Sequence, residues 1–224
     1  MPAAPICDFA DNAVDPKVRG YLHVPATPNN DGLVLTHGAG SNAQAALLIA
    51  LAETFATVGF SVLRCDLPYR QTRSFGPPGP GDAARDRAGL KNALAAISKF
   101  SARLFLGGHS YGGRQSSILA AEHPDLVKAL LLLSYPLHPP RKPDQQRTQH
   151  LPDLRMPALF VSGTRDPFGS IAEIEQALKM IPAKTKLLAI EGAGHDLGFK
   201  GKAKNENLPN RILSEFAGFV EMSS

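Results

Sequence analysis

Short runs of almost uninterrupted apolar residues, each followed by a turn or a helix-like segment, constrain this chain more than any other feature. They are YLHVP (21–25), GLVLTH (32–37), SVLRCD (61–66), RLFLGG (103–108), ALLLLSY (129–135), ALFVSG (158–163) and KLLAIEG (186–192). A strand with one solvated face alternates apolar with polar residues, whereas a continuous apolar run suits a strand covered on both faces. Helical signals fill most of the gaps between the runs. One segment runs from Ser41 or Asn42, as cap, to Gly59 as terminator, and a second starts at Asp82 and places Leu90, Leu94 and Ile97 on one face. Others begin after Ser110, near Ser170 and near Leu208. Alternation of this kind predicts an α/β fold with a mostly parallel central sheet and helices on both faces. A chain of 224 residues is long enough to form it as a single domain spanning 1–224. Two segments break the pattern. RQTRSFGPPGPG (70–81) reads as a Gly/Pro loop, and 135–157 is a longer loop rich in proline and basic residues, with no apolar period.

The sharpest chemical signal is LFLGGHSYGGRQ, in which Gly108-His109-Ser110-Tyr111-Gly112 places G-x-S-x-G between a strand and a helix. A serine held on so tight a turn has a strained backbone, and side chains two residues to either side would collide, so both positions need glycine. The hydroxyl then stands at the carboxyl end of the sheet, where open α/β folds bind ligands. Serine is a weak nucleophile unless a histidine takes its proton and an acid orients that histidine. Asp166, in GTRDPFG, and His195, in GAGHDLG, each follow a strand and therefore sit on the same rim as Ser110. Asp196 and Glu191 are too close to His195 in sequence to serve as its partner across that rim. His109 is expected to point away from the serine and to pack. His23, His123 and the other histidines show no metal-ligand spacing.

The stretch LVLTHGAGSNA (33–43) supports two readings. Gly38-x-Gly40-x-x-Ala43 with Asp66 after the next strand outlines a dinucleotide-binding turn, whereas His37 directly before the glycines outlines an oxyanion loop. The first reading makes an NAD(P)-binding oxidoreductase. It leaves Ser110, Asp166 and His195 as coincidences and ignores the strand-like segment that precedes the supposed first strand. The second reading is preferred. It supplies one backbone N–H from Tyr111, after the nucleophile, and a second from Ala39, with Gly40 as the alternative.

Charge and composition exclude other classes. The net charge of +4 is modest, and the run Lys200-Gly-Lys-Ala-Lys204 reads as a solvated loop rather than a nucleic-acid patch. With two cysteines, Cys7 and Cys65, neither a disulfide framework nor a cysteine-rich zinc site is indicated. No stretch reaches membrane-span length and the N-terminus lacks a signal-peptide pattern, so a cytoplasmic protein with no membrane partner is expected. No metal or cofactor is implied.

Beyond single motifs, LTHGAGSN, DLPYR, GGHSYGGR, SYPLHPP, RTQHLP, GTRDPFG and GAGHD together resemble the compact α/β-hydrolases, such as dienelactone hydrolase and small carboxylesterases or thioesterases. More narrowly they are similar to bacterial hydrolases related to animal testis-expressed and NSL-complex proteins. The likeness runs from about Gly32 to the C-terminal helix. His109 and Tyr111 depart from the basic residue and methionine that often flank the nucleophile in that family, a difference that bears on pocket shape. The resemblance implies that 135–157 occupies the place where larger relatives insert a lid, so that no lid domain is present. Arg141, Lys142, Arg147, His138 and His150 lie in that loop, and Arg70 and Arg73 lie on another that can reach the rim. Arg70, Arg73, His138, Arg147 and His150 are the candidates for binding an anionic substrate, with solvated loop charges as the alternative. The resulting expectation is a serine hydrolase that cleaves a carboxylic ester, thioester or lactone of a small-molecule acyl substrate through an acyl-enzyme. The competing expectation is a non-catalytic interaction protein that keeps the scaffold.

Overall fold

The computed structural model describes residues 5–199 and 207–221. The strands are β1 (Ile6–Asp11), β2 (Val18–His23), β3 (Asp31–Thr36), β4 (Ser61–Cys65), β5 (Arg103–His109), β6 (Ala129–Leu133), β7 (Ala158–Gly163) and β8 (Thr185–Ile190). The helices are α1 (Ala46–Thr57), α2 (Pro68–Thr72), α3 (Asp82–Ile97), α4 (Tyr111–Glu122), α5 (Ile171–Leu178) and α6 (Leu208–Glu221), with one 3-10 turn at Leu151–Asp153. The strands form one sheet in the order β1-β2-β4-β3-β5-β6-β7-β8. β1 and β2 run antiparallel to their neighbours, and every pairing from β4 through β8 is parallel.

Continuous apolar runs follow directly from this arrangement. Along β6, Leu130 and Leu132 pack with α3, α4 and α5 on one face of the sheet, while Leu131 and Leu133 pack with α1 and α6 on the other. Successive side chains of a strand point to opposite faces, so a strand covered twice needs an apolar residue at every position. Each leucine so buried contributes roughly 1.5–3 kcal/mol. α5 shows why some helix starts are legible. Ser170 Oγ accepts from the Glu173 N–H at 3.3 Å, and Glu173 Oε2 accepts from the Ser170 N–H at 2.8 Å.

Three elements differ from expectation. α1 begins at Ala46, not at Ser41 or Asn42. Asn42 Oδ1 instead accepts from the Gln44 N–H at 2.9 Å, and the Ser41 N–H donates to Gly38 O at 3.0 Å. These local bonds curl the chain into a turn and delay the helix. Arg70–Thr72 belong to α2 rather than to a loop. β1 is an additional edge strand, largely exposed on its outer side. Among the described residues, no helix is long and apolar enough to cross a membrane. The basic run 200–204 lies outside the described residues.

Candidate active site

Ser110 sits between the last residue of β5 and the first of α4, with φ 52° and ψ −117°. That left-handed backbone is costly for a residue with a Cβ and persists only where surrounding structure enforces it. Here the enforcement is steric and polar. A Cβ on Gly108 would lie 2.8 Å from Gly112 C, and a Cβ on Gly112 would lie 2.5 Å from His37 O. The Ser110 N–H donates to Leu133 O at 2.8 Å, while Ser110 O accepts the Arg114 N–H of the new helix at 2.9 Å.

The strand ends bring the three sequence-selected side chains together. Ser110 Oγ is 2.8 Å from His195 Nε2, and His195 Nδ1 is 2.8 Å from Asp166 Oδ2. With a carboxylate at Nδ1, the proton sits on that nitrogen and Nε2 is left to accept from the serine hydroxyl. Asp166, in the loop just after β7, is buried, and its Oδ1 also accepts the Phe168 N–H at 2.9 Å. The loops carrying Asp166 and His195 are joined by the Arg165 N–H bond to Ala193 O at 2.9 Å. Gly163 makes that closeness possible, since a Cβ there would meet Ala193 O at 2.2 Å. Glu191 and Asp196 turn elsewhere: Glu191 Oε1 accepts from Thr164 Oγ1, and Asp196 Oδ1 from the Gly198 N–H.

Two contacts on His195 are invisible in the sequence. The Phe168 ring lies against the imidazole with centroids 4.2 Å apart and planes 30° apart. His109 does pack, but against the site itself. Its Nε2 donates to His195 O at 2.7 Å, and its ring lies 5.1 Å from the His195 ring.

The 37–41 segment follows β3 and faces Ser110. His37 is fully buried, donating from Nδ1 to Gly38 O at 2.9 Å and accepting the Leu67 N–H at Nε2 at 3.1 Å. Burial holds its imidazole below the usual histidine range, which keeps it neutral in this role. Tyr69 Oη donates to Ala39 O at 2.8 Å, Arg70 Nη2 donates to the same oxygen at 3.0 Å, and Arg70 Nε donates to Ser41 O at 2.8 Å. A trans peptide points its C=O and N–H in opposite directions. Carbonyls drawn to Tyr69, Arg70 and His37 therefore turn the Ala39 and Gly40 N–H groups the other way. Asp66, the acid of the dinucleotide reading, accepts the Ala43 N–H at 2.7 Å and so serves this turn.

The basic residues expected to meet an anionic substrate are occupied elsewhere, and none of them lines the cavity over Ser110. The guanidinium of Arg70 is buried among backbone carbonyls, including those of Arg73 and Gly76. Arg73 pairs with Asp82. His138 Nδ1 bonds Pro139 O at 2.8 Å and its Nε2 lies 3.5 Å from Glu173 Oε1. Arg147 Nη1 donates to Pro136 O at 3.3 Å. His150 Nε2 is 2.8 Å from Ser117 Oγ, and burial pushes its imidazole down to about 4. Arg70 and Arg147 thus brace backbone carbonyls, while Arg73, His138 and His150 meet side chains of neighbouring segments.

The cavity itself holds about 480 Å³. Ser110, His109 and His195 line it with Ala39 and Gly40, and Ala45, Leu47, Leu48, Phe168 and Phe199 supply apolar lining.

Comparison with known proteins bears on the same region. A family model described as an alpha/beta hydrolase domain matches residues 29–221. The fold is similar to that of dienelactone hydrolase from Anabaena variabilis, at a TM-score of 0.75 and 22% identity over 97% of this chain and 99% of that one. Est1E from Butyrivibrio proteoclasticus gives 0.73 and 17% over 96% and 99%. The Pyrococcus furiosus esterase PF2001 gives 0.72 and 15% over 98% and 92%. A stretch of 48 residues is 52% identical to polyketide synthase ThaQ of Burkholderia thailandensis, which is 21% of this chain and 2% of that protein.

Proposed function

Because this chain belongs to the alpha/beta hydrolase family, we propose that it is a serine hydrolase that cleaves a carboxylic ester, thioester or lactone through an acyl-enzyme. The observation that carries the proposal is the unbroken line from Ser110 Oγ through His195 to Asp166, with both nitrogen contacts at 2.8 Å. In this reading Ser110 attacks the acyl carbonyl while His195 Nε2 takes its proton. The same nitrogen then protonates the leaving group, and Asp166 holds the imidazole in the required tautomer. Tyr111 N–H, at the start of α4 where helix N–H groups lack intrahelical partners, and Ala39 N–H bind the developing oxyanion. Water completes the cycle by attacking the acyl-enzyme with His195 as base.

The apolar wall of Ala45, Leu47, Leu48, Phe168 and Phe199 supports an uncharged acyl group. The proposal is tested by screening acyl esters, thioesters and lactones graded in chain length and charge. Saturable turnover of a neutral acyl series, abolished in Ser110→Ala, is expected. A folded protein with no turnover on any of the three classes would favour the non-catalytic scaffold instead.

A further inference from the structure

Asp86 is an aspartate on the apolar side of α3, fully buried, and the acyl-transfer scheme above gives it no part. Its two oxygens reach in two directions. Oδ2 accepts from Tyr111 Oη at 2.8 Å, and Oδ1 accepts the Tyr69 N–H at 3.1 Å. Each partner belongs to one half of the oxyanion site. Tyr111 carries the first donor on its own backbone. Tyr69, through its hydroxyl, holds Ala39 O at 2.8 Å and lies 3.4 Å from Gly38 O. The two tyrosine rings meet edge-on, with centroids 5.9 Å apart and planes at 90°. Given the serine-hydrolase reading, on which this inference rests, we propose that Asp86 is a positioning residue that sets the two oxyanion donors at a fixed separation.

The local structure explains how α3 does this. Pro68 opens α2 without an N–H, so the Tyr69 N–H is the first donor of that helix in need of a partner. Gly89, one turn after Asp86, brings α3 against α2. A Cβ there would lie 2.5 Å from Pro68 Cγ. That close approach puts the Asp86 carboxylate at the end of α2. Burial pushes the Tyr69 hydroxyl up to about 12 and, with the adjacent Asp86, pushes the Tyr111 hydroxyl up as well. Both therefore remain protonated donors across the working range: Asp86 accepts from the Tyr111 hydroxyl and the Tyr69 N–H, and the Tyr69 hydroxyl donates onward to Ala39 O.

The chain of contacts makes a claim about the transition state rather than about substrate binding. The oxyanion exists only after attack, so misplaced donors lower kcat and leave KM in place. Loss of a whole donor costs about 10²–10³ in kcat, and a tilted donor is expected to cost less, roughly tenfold. The test measures kcat, KM and the Ki of an alkylboronic acid, whose serine adduct places an oxygen in the oxyanion site, on wild type and variants matched for melting temperature. Tyr69→Phe removes the hydroxyl's bonds to Ala39 O and Gly38 O and leaves the Tyr69 N–H on Asp86, and Tyr111→Phe removes the bond to Asp86. Each is expected to lower kcat about tenfold with KM unchanged and to raise the boronate Ki by a similar factor. Asp86→Ala should lose more than either, and Asp86→Ala/Tyr111→Phe no more than Asp86→Ala. If Asp86→Ala fails to fold, the two tyrosine variants carry the test. Variants with kcat within twofold of wild type, or with kcat losses that leave the boronate Ki untouched, overturn the positioning role. Absence of turnover and boronate binding in wild type removes the hydrolase reading itself, and this proposal with it.

Discussion

Replacing Gly112 by alanine probes the close approach of α4 to the loop that follows β3. The added Cβ would lie 2.5 Å from His37 O and 2.7 Å from Thr36 Cγ2. A carbon rests against a carbonyl oxygen at about 3.3 Å, so the two segments must part by roughly 0.8 Å. Neither can yield locally. His37 is tied to Gly38 O and to the Leu67 N–H, and Gly112 lies in the first turn of α4. The displacement therefore reaches Gly38–Gly40 and separates the two donor segments by most of an ångström. Oxyanion donors act at 2.7–3.1 Å, and a shift near 1 Å is expected to lower kcat by about 10². Crowding of this kind also costs about 1–3 kcal/mol of stability, equivalent to roughly 2–12 °C in melting temperature for a chain of this size. Steady-state kinetics on a neutral ester, with thermal melts alongside, measures both. A folded Gly112→Ala protein with wild-type kcat would refute the reasoning that glycine is required here by the oxyanion loop.

Two further outcomes follow from burial. His23 and His150 are both pushed down to about 4, chiefly by desolvation, while the unfolded chain protonates them near 6.5. Their contribution to stability is complete above about pH 6.5 and is lost as pH falls towards 4, so melting temperatures should drop across that window and drop less in His150→Gln; a melting temperature independent of pH would contradict it. Cys7 is exposed, whereas Cys65 is buried with its thiol pushed up to about 12. An aromatic disulfide reagent should titrate one thiol in native protein and two in denaturant, and two fast-reacting native thiols would be inconsistent with the packing of β4.

Much of the architecture is legible in the sequence because burial on both faces leaves a strong mark. ALLLL can be little else than a central strand, and all five of its residues are buried. The glycines around Ser110 were also readable, since their role is exclusion of side chains. β1 is not legible because ICDFAD packs on one side only, and an edge strand carries no continuous apolar run. The start of α1 is not fixed by the sequence because Asn42 caps a turn as readily as a helix. For Arg70 the sequence leaves substrate ligand and solvated charge both open, because it shows the charge but not the carbonyls of Ala39, Ser41 and Gly76 that take its donors. Asp86 did leave a signal. It lies four residues before Leu90, on the same stripe as Leu94 and Ile97, where a carboxylate must find buried partners.

The central claim is that Ser110 is an activated nucleophile, and labelling by a fluorophosphonate probe tests it most directly, since phosphonylation uses the same nucleophile and base as acylation. Wild-type protein should label stoichiometrically. Ser110→Ala should not label at all, and His195→Ala should label very slowly for want of a base. Asp166→Asn should fall between His195→Ala and wild type, because Asp166 orients the base without touching the probe. In a related triad these losses are about 10⁶ for the serine and 10⁴–10⁵ for the acid in turnover, and they do not add. Folded wild-type protein that resists the probe while a control esterase reacts would contradict the account.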